Sequence, residues 1–199
     1  MLCASTGRAD NPERAVDRRL VEQAQRGDED AFEALVRATG DRCVGIAYRI
    51  LRDVDLAEDA VQSAYVSAWR DLKSLREPDR FEPWLHRTLT RACYEEARKS
   101  RRFAANIRAL PIESSYSPDD VLQVVDRDQL DRGIRRLSVE QRAVLVFHHY
   151  LGLTLPEIAD RLDIPIGTAK SRLHHATNAM RAALDADSRT ALDSRERPA

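Results

Sequence analysis

An all-α fold of two small helical domains joined by a flexible linker is predicted by three observations on this 199-residue chain. Apolar residues recur at helical spacing along most of its length. Capping residues stand just before those stretches, and with 7 glycines, 8 prolines and 6% aromatic residues the chain lacks the turn and strand formers of a β-rich protein.

Residues 1–16 are polar and aperiodic and read as a disordered N-terminal tail. Leu20, Val21 and Ala24 then mark a short helix that Gly27 stops. Asp28 caps the next, which carries Phe32, Leu35, Val36, Val44, Ala47, Ile50 and Leu51 inward, with Gly40 and Gly45 as points of bending. Asp55 and Glu58 form a capping pair for a third helix, whose apolar stripe is Leu56, Ala60, Val61, Ala64, Tyr65, Ala68, Trp69 and Leu72. Lys73 to Arg80, interrupted by Pro78, reads as a loop. A fourth helix follows from Phe81 to Arg102, with Pro83 in its first turn and Trp84, Leu85, Leu89, Ala92 and Cys93 buried. Four such helices over residues 17–103 can pack as a bundle.

Residues 104–117 lose this periodicity and read as the linker. Ser117, Pro118 and Asp120 open a second domain, residues 118–185, in which Val121, Leu122, Val125, Leu130, Ile134 and Leu137 are core positions. Ser138 with Gln141 starts a helix from Val139 to Tyr150 that Gly152 closes. Thr154 and Glu157 then form a capping box, and the short helix behind them ends at Leu162, because Asp163-Ile164-Pro165 cannot continue it. A further helix begins near Ile166 and buries Ala169, Leu173, Ala176, Met180, Ala183 and Leu184. Two helices joined by a tight turn, the second carrying cations and no acids between Ile166 and Leu184, form the pattern of a helix-turn-helix DNA reader. Residues 186–199 read as a polar tail.

The net charge of −1 conceals a segregated distribution. Arg87 to Arg102 and Ile166 to Leu184 are cationic, whereas Asp28 to Glu33 and Asp53 to Asp59 are acidic, so local fields outweigh the sum. Cys3, Cys43 and Cys93 are widely separated and odd in number, which points away from a disulfide framework or a thiolate zinc site. The absence of a long apolar run or a signal-peptide pattern predicts a cytoplasmic protein without membrane insertion.

Two segments in order, LAEDAVQSAYVSAWRDL with FEPWLHRTLTRACYEEARKSRR, and LSVEQRAVLVFHHYLGLTLPEIADRLDIPIGTAKSRLHHATNAMRA, resemble regions 2 and 4 of the extracytoplasmic-function group of bacterial sigma factors. The resemblance spans Val16 to Leu184. It implies a four-helix region-2 bundle and a region-4 helix-turn-helix domain. It also implies three partners: core RNA polymerase, met at the clamp helices of its largest subunit and at its flap region, promoter DNA, and an anti-sigma factor.

By the same resemblance, Glu58, Asp59, Gln62 and Ser63 form the polymerase-docking face, with Asp59 and Gln62 matching a D-x-x-Q element. Arg80, Arg87, Arg91, Tyr94, Arg98, Lys99, Arg101 and Arg102 fall in the part that captures the melted −10 element, where cations hold the exposed strand. Lys170, Ser171 and His175 take −35-reading positions, and Arg172 and His174 lie beside them. Thr154 and Thr168, near helix N-termini, suit phosphates. Three residues depart from the family pattern: Arg91 stands where asparagine is frequent, Glu95 where aspartate is, and His175 where arginine is. An Arg91–Glu95 helix-face pair is the expected local consequence.

Two other function classes compete. The pairs His148-His149 and His174-His175 raise a metal-dependent enzyme, but adjacent helical residues diverge by about 100° and no catalytic motif accompanies them. The expectation is therefore a non-enzyme with no catalytic residues, metal or cofactor. A one-component helix-turn-helix regulator, binding operator DNA without polymerase, is the closer rival.

Overall fold

The structure, a computed structural model, describes residues 16–107 and 133–195. Helix α1 (Arg18–Gln25) is capped by Asp17, and α2 (Glu29–Leu51) by Asp28, whose Oδ1 accepts the Ala31 amide at 3.0 Å. Helix α3 is Val54–Asp71, α4 is Phe81–Ile107, and short 3₁₀ turns at Leu72–Ser74 and Pro78–Arg80 lie between them. In the second half α5 is Val139–His149, α6 is Leu155–Leu162 and α7 is Ile166–Arg195. All regular elements among the described residues are helical, as the sequence predicts. No described helix is long and apolar enough to cross a membrane.

The cap of α3 differs from expectation. Asp53, not Asp55, takes the extended N-cap conformation and accepts the Leu56 amide at 3.0 Å, which leaves Asp55 inside the first turn. Asp53→Ala should therefore cost about 1 kcal/mol in urea unfolding and Asp55→Ala much less. The reverse order would return the cap to Asp55.

Helix α2 runs unbroken through Gly40 and Gly45. A Cβ at Gly45 would come within 3.2 Å of Tyr150 Oη and 3.1 Å of Arg49 Nη1, so glycine permits close approach of the Tyr150 ring that follows α5. Val44, expected in the core, is 41% exposed, and Ile46, Cys43 and Thr39 are buried instead. Burial holds the thiols of Cys43 and Cys93 protonated, the latter pushed up to about 12, so both act as small core residues.

Helices α2, α3 and α4 pack on one another with α1 against α2, and α5 and α6 pack on α7. The halves are not separate in this structure, for α5 lies against α2 and α6 against α4. One apolar cluster consequently runs from Val21, Leu35 and Ile50 through Leu85 and Leu89 to Phe147, Ile158 and Ala169. A smaller cluster of Leu137, Ala176 and Met180 lies under α7.

Two boundaries also differ. Helix α4 continues past Arg102 to Ile107, and α7 continues past Leu184 to Arg195. The expected helix start at Ser117, Pro118 and Asp120, the core positions Val121, Leu122, Val125 and Leu130, and most of the linker lie outside the described residues.

Candidate nucleic-acid interface

The helix-turn-helix forms as its sequence dictates. Glu157 accepts from the Thr154 amide at 2.8 Å and the Thr154 hydroxyl at 2.5 Å, locking the first turn of α6. Asp163 then ends α6 at φ 56°, in the left-handed region an aspartate tolerates. Pro165 accepts the Thr168 amide at 2.9 Å and opens α7.

Buried Ala169, Ala176 and Met180 fix the inner face of α7. Gly167, Lys170, Ser171, His174, His175 and Asn178 are consequently exposed, and Thr168 is half-buried. The Ser171 hydroxyl donates to the Thr168 carbonyl at 3.0 Å, and Asn178 Nδ2 lies 2.9 Å from His174 Nε2. The two histidine rings diverge, with centroids 5.9 Å apart. Arg172 is half-buried and separate from this face, near enough to Tyr94 and Glu140 for its charge to act on both. Thr154 is exposed at the start of α6.

The second cationic element is α4 with the turn before it. Gln25 Nε2 donates to the carbonyls of Leu72 and Leu75, at 3.2 and 2.6 Å, and so pins that turn to α1. Beyond it lies a cleft of about 420 Å³ lined by Leu75, Arg76, Arg80, Trp84, Arg87 and Asp160 among others. Trp84, expected as core, does two things: it packs on the core, with its ring 6.1 Å from Phe81, and it walls this cleft.

The −10 residues named from sequence divide into two groups. Arg98, Lys99, Arg101 and Arg102 are exposed along the outer part of α4, where Lys99 pairs with Glu96 at 2.8 Å. Arg80, Arg87 and Arg91 instead meet α6. Arg80 Nη2 lies 2.5 Å from Asp160 Oδ2, Arg91 Nη2 lies 3.0 Å from Asp163 Oδ2, and Arg87 donates to the Asp160 carbonyl and lies 3.9 Å from each carboxylate. The expected Arg91–Glu95 pair does not form, because Asp163 takes its place. Tyr94 is half-buried against the second half, and its hydroxyl has no partner among the described residues, a burial that costs about 1–3 kcal/mol. Desolvation raises its pKa.

Deeper in the same junction His86, 3% exposed, accepts from Arg161 through Nδ1 at 2.9 Å, and its ring lies 5.8 Å from that of Phe147. Burial first, then the charges of Arg161 and Arg42, depress its pKa to about 3, so the imidazole is neutral and fitted to accept that bond. The sequence gives no sign of this pair, since its members are 75 residues apart and each reads as a surface residue.

On α3, Glu58, Asp59 and Gln62 are exposed and Ser63 is half-buried. One turn further the surface becomes apolar: Val66 is 62% exposed and Trp69 39%, with the Phe32 ring tilted against Trp69 at a centroid distance of 4.9 Å. Gln62, Val66 and Trp69 line a groove of about 500 Å³ with Glu29, Phe32 and Tyr65. Trp69 and Phe32 were expected in the core; the signal for the groove is the i, i+4, i+7 spacing of residues 62, 66 and 69. No group of three or more histidine, cysteine or carboxylate side chains among the described residues is placed to hold a metal ion.

Residues 35–103 match the family described as sigma-70 region 2, and residues 127–180 match sigma-70 region 4. The chain is 30% identical over 176 residues to the ECF RNA polymerase sigma factor SigW of Bacillus subtilis, covering 82% of this chain and 94% of that protein. It is 31% identical to the ECF RNA polymerase sigma factor SigM of Mycobacterium tuberculosis, covering 87% of each. Among solved structures it is similar to CnrH, solved in complex with the cytosolic domain of CnrY, with a TM-score of 0.60, 26% identity and coverage of 86% of this chain and 98% of that one.

Proposed function

Because the chain belongs to the extracytoplasmic-function group of sigma-70 factors, and is an alternative sigma factor directing transcription, we propose that its two halves divide promoter reading between them. Residues 17–103 dock on core polymerase and capture the opened −10 strand, residues 118–185 read the −35 element, and 104–117 connect them, with 1–16 and 186–199 as tails. The family regulates transcription without enzymatic chemistry; no cofactor enters this reading, and the site of action is the cytoplasm. The fold shared with CnrH, itself solved with CnrY, supports an anti-sigma factor as the further partner.

The observation that carries the reading is the exposed, acid-free face of α7, Lys170, Ser171, His174 and His175, presented by a capped helix-turn-helix. A helix of this kind enters the major groove with its first turns at base edges, while Thr154 and Thr168 suit flanking phosphates. On α4, Arg98, Lys99, Arg101 and Arg102 would track the strand backbone, and the cleft beside Trp84 offers an aromatic wall to an unstacked base. The docking face of Glu58, Asp59, Gln62 and Ser63 extends onto exposed Val66 and Trp69, giving a polar rim with an apolar centre.

The test is in-vitro transcription with bacterial core polymerase and a promoter library. Core should gain a defined promoter set that shares −35 and −10 motifs, with activity falling steeply as salt rises. A chain that shifts duplex DNA unaided while core gains nothing would install the one-component regulator instead. Within that assay Lys170→Ala and His175→Ala should each reduce use of promoters bearing the −35 motif by about 5- to 150-fold, the range for one lost base contact. Unchanged use would remove that residue from the interface.

A further inference from the structure

Resting on that reading, we propose that Asp160 and Asp163 form an intramolecular latch, holding the strand-capturing arginines of α4 and of the turn before it in place of promoter phosphates and closing that face of the free chain to single-stranded DNA. Three arginines assigned to the −10 strand, Arg80, Arg87 and Arg91, converge on the C-terminal end of one short helix. Arg87 and Arg91 are one turn apart on one face of α4, and Arg80, in the 3₁₀ turn that leads into it, reaches the same Asp160 as Arg87. Asp160 and Asp163 are spaced i, i+3 and meet that face with two carboxylates and the Asp160 backbone carbonyl. The carbonyl end of α6 adds negative helix-dipole charge at the same place. This end of α6 therefore presents to α4 what a nucleic-acid backbone presents: closely spaced anionic oxygens.

Two further features fit a contact built to open. The guanidinium and carboxylate groups are 32–65% exposed, so each pair is individually weak and open to competition by a polyanion. The Tyr94 hydroxyl is buried on the same face of α4 without a partner among the described residues, a cost that separation of the halves relieves. Asp160 also walls the cleft beside Trp84, so the closed chain narrows access to it. Neither aspartate belongs to the docking face or to the exposed face of α7.

The experiment compares the full chain with Asp160→Asn/Asp163→Asn, which keeps side-chain shape and, at residue 163, a residue tolerant of positive φ. A second double variant, Asp41→Asn/Asp55→Asn, makes the same change in net charge at exposed sites outside α4 and α6. The probes are the radius of gyration by small-angle scattering and binding of a fluorescein-labelled, random-sequence single-stranded 20-mer. The latch variant should be more expanded and bind the strand at least five-fold more tightly than the wild-type chain. The control variant should keep the wild-type radius and shift affinity by less than two-fold. Equal behaviour of the two variants, or a latch variant identical to wild type, overturns the latch. Core-dependent transcription run in parallel reports on the polymerase reading alone: its absence from wild type and latch variant together would strike that reading, whatever the radii show.

Discussion

Replacing Asp59 and Gln62 together by arginine is expected to reduce promoter-directed transcription by core polymerase by two orders of magnitude or more while leaving the fold intact. Both side chains are exposed at mid-helix on α3, so neither packs in the core, and arginine is a good helix former. The damage would come from the interface. An acidic and an amide position that meet a partner become two cations, and like-charge juxtaposition at an interface costs several kcal/mol, each ~1.4 kcal/mol being a factor of ten in affinity. Titrating the variant against a fixed amount of core, beside a circular dichroism melt, separates docking from folding. A variant that competes for core as well as wild type would remove this face from the docking surface.

The second large effect is acid lability centred on His86. Its pKa is about 3 in the folded chain and near 6.5 in a free imidazole, so above pH 6.5 both states are neutral and the site imposes no proton penalty. Below pH 6.5 the unfolded chain takes up a proton that the folded chain refuses, and stability falls by up to about 1.4 kcal/mol per pH unit until the pH nears 3. Protonation in place would set two cationic donors, His86 and Arg161, face to face. Between pH 7.5 and 5 the wild-type chain should lose about 2 kcal/mol more than His86→Gln, which can still accept from Arg161 but does not titrate. Urea unfolding at the two pH values measures the difference. Parallel losses in both proteins would relocate the acid sensitivity to the carboxylates.

The caps at Asp28, Ser138 and Thr154 were legible because each is a local rule: a short polar side chain, a helix behind it and, for the last two, Gln141 or Glu157 three residues on. The same rule misplaced the cap of α3, where Asp53 and Asp55 both satisfy it and only backbone conformation separates them. Buried polar residues were invisible for the opposite reason. Thr39 is buried because its hydroxyl bonds the Leu35 carbonyl and Tyr65, both at 2.8 Å, and Thr90 because its hydroxyl reaches the His86 carbonyl at 2.8 Å. A periodicity argument turns such residues outward. At the candidate interface the chemistry of α7 could be read directly, since its apolar stripe fixes which residues remain outside. The pairing of Arg80, Arg87 and Arg91 could not, because aspartates 72 to 80 residues away decide it.

The apolar cluster that runs without a break from α1 to α7 also makes the junction between the halves a temperature-dependent object. Separating them wets the surface around Phe147 and Leu85, and wetting of apolar surface carries a positive heat-capacity change and becomes less unfavourable on cooling. The charged pairs lean the same way, because stripping water from ions is costlier in the cold. Cooling therefore loosens both parts of the contact at once, so the free chain keeps the arginines that meet α6 more covered in a warm cell than in a chilled one.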